Sequence, residues 1–162
     1  MNDTHRPSLK TLEVWFLSFF GLGLLPKAPG TFGTLGILPV LYLLGKFKVP
    51  SLFLGPVFVL MTVGACLIAD AYQKRFNLKD PQFIVIDEVI GMLLAWMIAP
   101  TKNLLELFIL FALFRFFDIV KFWPASYFDK LEHGAGTILD DVVSGIFAGT
   151  SFLVVQFLYH SF

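Results

Sequence analysis

Ile84–Pro100 reads IVIDEVIGMLLAWMIAP, a stretch as apolar as a membrane helix, yet Asp87 and Glu88 stand side by side near its start. An isolated charge inside a bilayer costs about 2.5–3.5 kcal/mol even on the mild insertion scales, so such acids are paired, hydrated or bound to a cation. Two readings compete. The plain one is a hydrated helix terminus, where carboxylates favour the positive end of the dipole. The other is one wall of a site. Asp87 and Gly91 lie four residues apart, hence on one helical face, and a glycine there lets a second helix approach closely.

The rest of the chain supports a membrane setting. Its 162 residues suffice for one domain, spanning 1–162; they are 57% hydrophobic with 20 phenylalanines and only 15% charged. A mean hydropathy of +0.78 is seldom met in soluble domains of this size. The 12 basic and 12 acidic residues cancel, which leaves no nucleic-acid footprint. The one cysteine, Cys66, lies in an apolar run and reads as a packing residue; no disulfide is possible within the chain. The N-terminal region has basic residues before an apolar stretch, as a signal peptide does. That stretch carries Glu13 and no small-x-small site follows, so it reads as a retained short helix, amphipathic or partly inserted.

Four apolar segments are candidate membrane helices: Leu52–Tyr72, Ile84–Ala99, Leu104–Trp123 and Ile138–Tyr159. A fifth, Thr34–Val49, is shorter and either spans, with Lys46 and Lys48 snorkelling at one end, or re-enters. The expectation is an all-α, polytopic membrane bundle of about four to five crossings plus the short N-terminal helix. If Thr34–Val49 crosses outward and the others follow in turn, nine of the 12 Lys and Arg fall inside and three (Lys46, Lys48, Lys102) outside. The positive-inside rule favours that orientation. It also gathers Asp70, Asp87, Glu88, Arg115, Asp118, Lys121, Asp140 and Asp141 on the inner face.

Asp140 and Asp141 form a second acidic pair, in HGAGTILDDVVSGIFAG. Adjacent helical residues differ by about 100°, so one can bind directly while the other acts from behind it. Helix capping, the plain alternative, needs only one Asp. Two acidic clusters on different helices suit a hard cation such as Mg²⁺. Between them, Arg115, Asp118 and Lys121 recur every three residues, which predicts one helical stripe. Such a stripe is either a salt-bridge ladder or, beside metal-binding acids, a holder of phosphate. Gly21–Gly36, GLGLLPKAPGTFGTLG, is a structural turn before a helix or an anion cradle built of N–H groups, Thr31 or Thr34 and Lys27. It lacks the order of a nucleotide P-loop. His133 reads as a solvated loop histidine.

Three blocks together, PKAPGTFGTLG, DPQFIVIDEVIGM and FRFFDIVK…DK…GAGTILDDVVSG, resemble the phosphatidylglycerophosphatase A family in content and order, from Pro26 to Gly145. The resemblance implies Mg²⁺-dependent hydrolysis of the terminal phosphomonoester of phosphatidylglycerophosphate to phosphatidylglycerol and phosphate. It implies a multi-pass protein of a bacterial inner membrane with its site facing the cytoplasm, acting on phosphatidylglycerophosphate in the bilayer; it says nothing of protein partners. Carried onto this chain, the metal ligands would be Asp87, Glu88, Asp129, Asp140 and Asp141. The catalytic groups would be Asp87, Arg115, Asp118 and Lys121, with Asp118 as general base or nucleophile. Substrate would be held by Lys27, Thr31, Arg115, Lys121 and Lys130. The chain departs from the family pattern at Phe122, where Pro is usual, and at Gly134-Ala135, where a glycine pair is common. The Cys-based, His-based and D-x-D phosphatase patterns are absent. The alternative from another class is a small ion- or proton-coupled transporter that uses the same acids as a relay.

Overall fold

The computed structural model describes residues 11–79, 81–128 and 134–161, and among them every regular element is helical. Helix α1, Leu12–Leu17, buries Val14 and Leu17 while Leu12 and Trp15 face outward, so the N-terminal segment is amphipathic as expected. Its Glu13 is paired with Arg75, 62 residues on, at 3.0 Å. A 3₁₀ turn at Leu22–Leu24 leads to α2, Pro29–Lys46. Proline suits the first helical position, where its missing N–H has no partner to lose. Helix α2 buries Gly33, Thr34, Ile37, Leu38, Leu41 and Gly45, a stripe at helical spacing.

A second 3₁₀ turn, Ser51–Leu54, runs into α3, Gly55–Phe76, which stops where Asn77 adopts a left-handed conformation. Then come α4, Ile86–Ile98, and α5, Leu104–Val120, whose first turn is capped by the Asn103 side chain accepting from the Glu106 N–H at 2.8 Å. A single turn, α6, Ala125–Phe128, precedes the long α7, Gly134–Ser161.

Helix α4 is the centre of the bundle: α2, α3, α5 and α7 all pack on it. Nine of its 13 residues are buried, Trp96 and Met92 completely. Its apolarity therefore serves the protein interior. At about 1.5 Å per residue its helical part is roughly 20 Å long, shorter than the ~30 Å of a hydrocarbon core. Helix α3 is the opposite case. Only Ala65, Ala69, Tyr72 and Gln73 are buried, while Leu60, Val63 and Leu67 are exposed, a surface suited to lipid. Two helical segments, Ser51–Phe76 and Gly134–Leu158, are long and apolar enough to cross a membrane. The expectation of four to five crossings is thus matched at this length by two helical segments among the described residues.

Glycines set the closest approach. A Cβ at Gly91 of α4 would meet the Asp141 carbonyl and the Phe114 ring; one at Gly145 of α7 would run into the backbone of Gly91. The two helices carrying the acidic pairs therefore pack backbone to backbone, which fulfils the expectation drawn from the Asp87–Gly91 spacing.

Candidate active site

At one end of the bundle the start of α2, the ends of α3 and α5, the start of α4 and the early turns of α7 enclose a cavity of about 920 Å³. Five carboxylates (Asp87, Glu88, Asp118, Asp140, Asp141) and three cations (Lys79, Arg115, Lys121) line it. Fully ionised, the wall carries an excess of two negative charges, which a divalent cation would balance.

Asp87 and Glu88 open α4, which is held in place from outside: the Val85 N–H, just ahead of it, donates to the Leu17 carbonyl at 2.9 Å. Asp87 is only 6% exposed, so its carboxylate stands inside the protein, on the cavity wall, and not at an open helix end. Its Oδ1 accepts from the Glu88 N–H at 3.0 Å. Asp141 comes across from α7, and one carboxylate oxygen each of Asp87, Glu88 and Asp141 lies within 4.8 Å of the other two. Three carboxylates so close repel one another unless positive charge sits among them. Glu88 Oε2 and Asp141 Oδ1 are buried and meet no hydrogen-bond partner among the described residues. An all-oxygen donor set with spare lone pairs is what hard divalent cations take.

Asp140 points elsewhere. Its Oδ2 lies 2.8 Å from Lys121 Nζ, its Oδ1 accepts from the Asp141 N–H at 3.0 Å, and its carbonyl accepts from Ser144 Oγ. The divergence of the pair agrees with the 100° step. The capping reading does not hold, because α7 begins at Gly134 and both acids sit buried beyond its first turn.

Arg115 bridges Glu88 of the three-acid cluster and Asp118. Its Nη1 lies 2.7 Å from Asp118 Oδ2, 3.9 Å from Glu88 Oε1 and 3.4 Å from the Thr34 hydroxyl, while its Nε is buried without a hydrogen-bond partner among the described residues. The expected Arg115–Asp118–Lys121 stripe is interrupted. Lys121 follows the last turn of α5 in a left-handed conformation, φ 49°, and swings away to Asp140. From the other side Gly30 touches Glu88: a Cβ there would overlap Glu88 Oε1 and come within 3.4 Å of Arg115 Nη1.

Of the residues singled out from sequence, Asp87, Glu88, Asp118, Asp140, Asp141, Arg115, Lys121 and Thr31 share this cavity wall. Lys27 is exposed and off the wall, although Pro26 and Ala28 on either side line it. Asp70 is also off it, paired with Lys74 at 2.8 Å. Asp129, Lys130 and His133 lie outside the described residues. The sequence reading missed Gln73, Lys79, Gln82, Thr137 and Gly30. Thr137 was findable, standing four residues before Asp141 and so on its face of the helix. Gln73 was hidden among the charges that end an apolar run.

Residues 15–156 match the family Phosphatidylglycerophosphatase A. The chain is 38% identical over 142 residues to the Phosphatidylglycerophosphatase A of Haemophilus influenzae, covering 85% of each chain. It is 35% identical over 147 residues to that of Escherichia coli, covering 89% of this chain and 84% of the relative. A Bacteroides thetaiotaomicron protein provisionally named phosphatidylinositol-3-phosphatase is 30% identical over 149 residues, 88% of this chain and 91% of its own. No solved structure gives a significant match. A family match across most of the chain, with relatives covered over more than four-fifths of their length, does not favour the transporter alternative. The chain belongs to the phosphatidylglycerophosphatase A family of phosphoric monoester hydrolases.

Proposed function

We propose that this chain, as a single lipid phosphatase domain, hydrolyses the terminal phosphomonoester of phosphatidylglycerophosphate to phosphatidylglycerol and phosphate. The supporting observation is the convergence of three carboxylates and Arg115 on one cavity wall, in a chain whose relatives are named for that reaction. Asp87, Glu88 and Asp141 would hold Mg²⁺, and the two buried carboxylate oxygens without partners fit that role. When bound, Mg²⁺ supplies Lewis-acid charge for the phosphoryl oxygens and a more acidic water.

The chain's own residues do the rest. Arg115, whose Nε has no hydrogen-bond partner among the described residues, and Lys121 neutralise the phosphoryl group, where catalysis of phosphoryl transfer chiefly acts. Asp140 holds Lys121 in place. Asp118, on the same wall but outside the three-acid cluster, takes a proton from the attacking water. The water oxygen bonds to phosphorus as the bond from phosphorus to the glycerol oxygen breaks, and the departing oxygen gains a proton. Thr31 and the first N–H groups of α2 face the substrate phosphate. Lys27 and Lys130 would add positive charge for the substrate, and Asp129 would add an acid.

The same reading places the chain in a bacterial inner membrane in five crossings, cavity to the cytoplasm. The charge count and the length of α2, 18 residues or about 27 Å, support it. The test is phosphate release from phosphatidylglycerophosphate by the detergent-purified chain, with Mg²⁺ and with chelator, for wild type and Asp87→Asn. Release that needs Mg²⁺ and disappears in the variant is expected. No release by the folded wild type sinks the reading.

A further inference from the structure

One part of the cavity wall has no role in moving phosphate. Gln73 on α3 and Thr137 on α7 face each other there, both neutral. Gln73 is 2% exposed, a buried amide in the last turns of α3, where its neighbours Lys74 and Arg75 are exposed. A buried amide is costly unless its hydrogen-bonding capacity is met. Among the described residues its side chain makes one hydrogen bond, Nε2 donating to Thr137 Oγ1 at a long 3.4 Å. An amide offers two N–H donors and two acceptor lone pairs, and a hydroxyl adds a donor of its own. One long bond leaves most of that capacity for whatever enters the cavity.

The position says what that is. Thr137 precedes Asp141 by four residues on α7, so their Cβ atoms are about 5–6 Å apart on one face. Asp141 belongs to the three-acid cluster, where the phosphoryl group would sit. In a glycerol phosphate a free hydroxyl stands on the carbon next to the phosphorylated one. A phosphoryl group seated at the cluster therefore brings that hydroxyl within reach of Thr137 and Gln73.

We propose that Gln73 and Thr137 recognise the free hydroxyl of the glycerol bearing the terminal phosphate, and so select a polyol phosphomonoester over a phosphate with no neighbouring hydroxyl. The amide oxygen accepts the hydroxyl proton, and the second amide N–H or the threonine hydroxyl donates to its oxygen. The proposal rests on the phosphatase reading above. Selectivity of this kind arises because a site built for a hydroxyl leaves buried polar groups unpaired when the hydroxyl is missing.

The experiment measures kcat/KM for phosphate release, in detergent with Mg²⁺, on two lipids. One is phosphatidylglycerophosphate; the other replaces that glycerol by propanediol, so only the hydroxyl is lost. Wild type, Gln73→Leu and the near-isosteric Thr137→Val are compared. Wild type prefers the hydroxylated lipid by about tenfold, the worth of one to two neutral hydrogen bonds. Each variant brings the ratio close to one. A purely structural role would slow both lipids alike and keep the wild-type ratio, and that result overturns the proposal. Should Gln73→Leu not fold, Thr137→Val alone decides. Failure of wild type to release phosphate from either lipid overturns the phosphatase reading and this inference with it; release with unchanged ratios overturns this inference alone.

Discussion

Gly30 has no side chain where Glu88 needs the room. A methyl group there would press on the tip of a flexible side chain, so Gly30→Ala should fold, but the Glu88 carboxylate must move. We expect the Mg²⁺ needed for half-maximal phosphate release to rise by about tenfold, the cost of misplacing one ligand. Direct Mn²⁺ binding, followed by electron paramagnetic resonance, should weaken in parallel; unchanged binding would remove Glu88 from the metal site. Lys121 tests a different kind of contact. Lys121→Met strips the 2.8 Å partner from Asp140, whose side chain is 6% exposed. Taking the cationic partner from a buried carboxylate is expensive, and because Lys121 itself is one-third exposed the loss should be about 1–3 kcal/mol, read as a lower Tm in detergent. Adding Asp140→Asn should restore much of the Tm and none of the activity.

At the scale of helices, the crossing of α4 and α7 decides whether the acids meet. A Cβ at Gly145 meets backbone atoms of Gly91, which cannot step aside, whereas one at Gly64 of α3 meets nothing within 4 Å. Gly145→Ala should therefore cost about 1–3 kcal/mol and lower activity with it, while Gly64→Ala should leave the Tm unchanged or raise it. Thermal unfolding of both variants in detergent checks this; equal effects would mean the crossing is looser than described. Much of this level was legible from the chain. Asp87, Glu88 and Gly91 announced a tightly packed acidic helix, and Asp140 and Asp141 a second. What was not legible came from three-dimensional partners. The apolarity of α4 looked like lipid contact because burial in protein and burial in lipid select the same side chains. The spacing of Arg115, Asp118 and Lys121 looked continuous because spacing cannot show that Lys121 leaves the helix. Gln73 needed Thr137, 64 residues away, before it meant anything.

At the scale of the whole molecule, the charge asymmetry makes a claim about sidedness. In a Cys66→Ala background, Lys27→Cys should react with an impermeant thiol reagent only from the cytoplasmic side and Lys102→Cys only from the opposite side. Both positions are exposed. Labelling of both from one side would overturn the five-crossing arrangement. Reading the distribution of exposed apolar surface together with the position of α4 adds something. The exposed apolar groups belong largely to α3 and to the outer faces of α2, α5 and α7, whereas α4 is sheathed by all four. Thicker or thinner bilayers act on helices that touch acyl chains, through tilt and local compression. The sheath can absorb such adjustments while the distances among Asp87, Glu88 and Asp141 stay set by glycine contacts in the interior. Turnover should then vary little across host membranes of different acyl length.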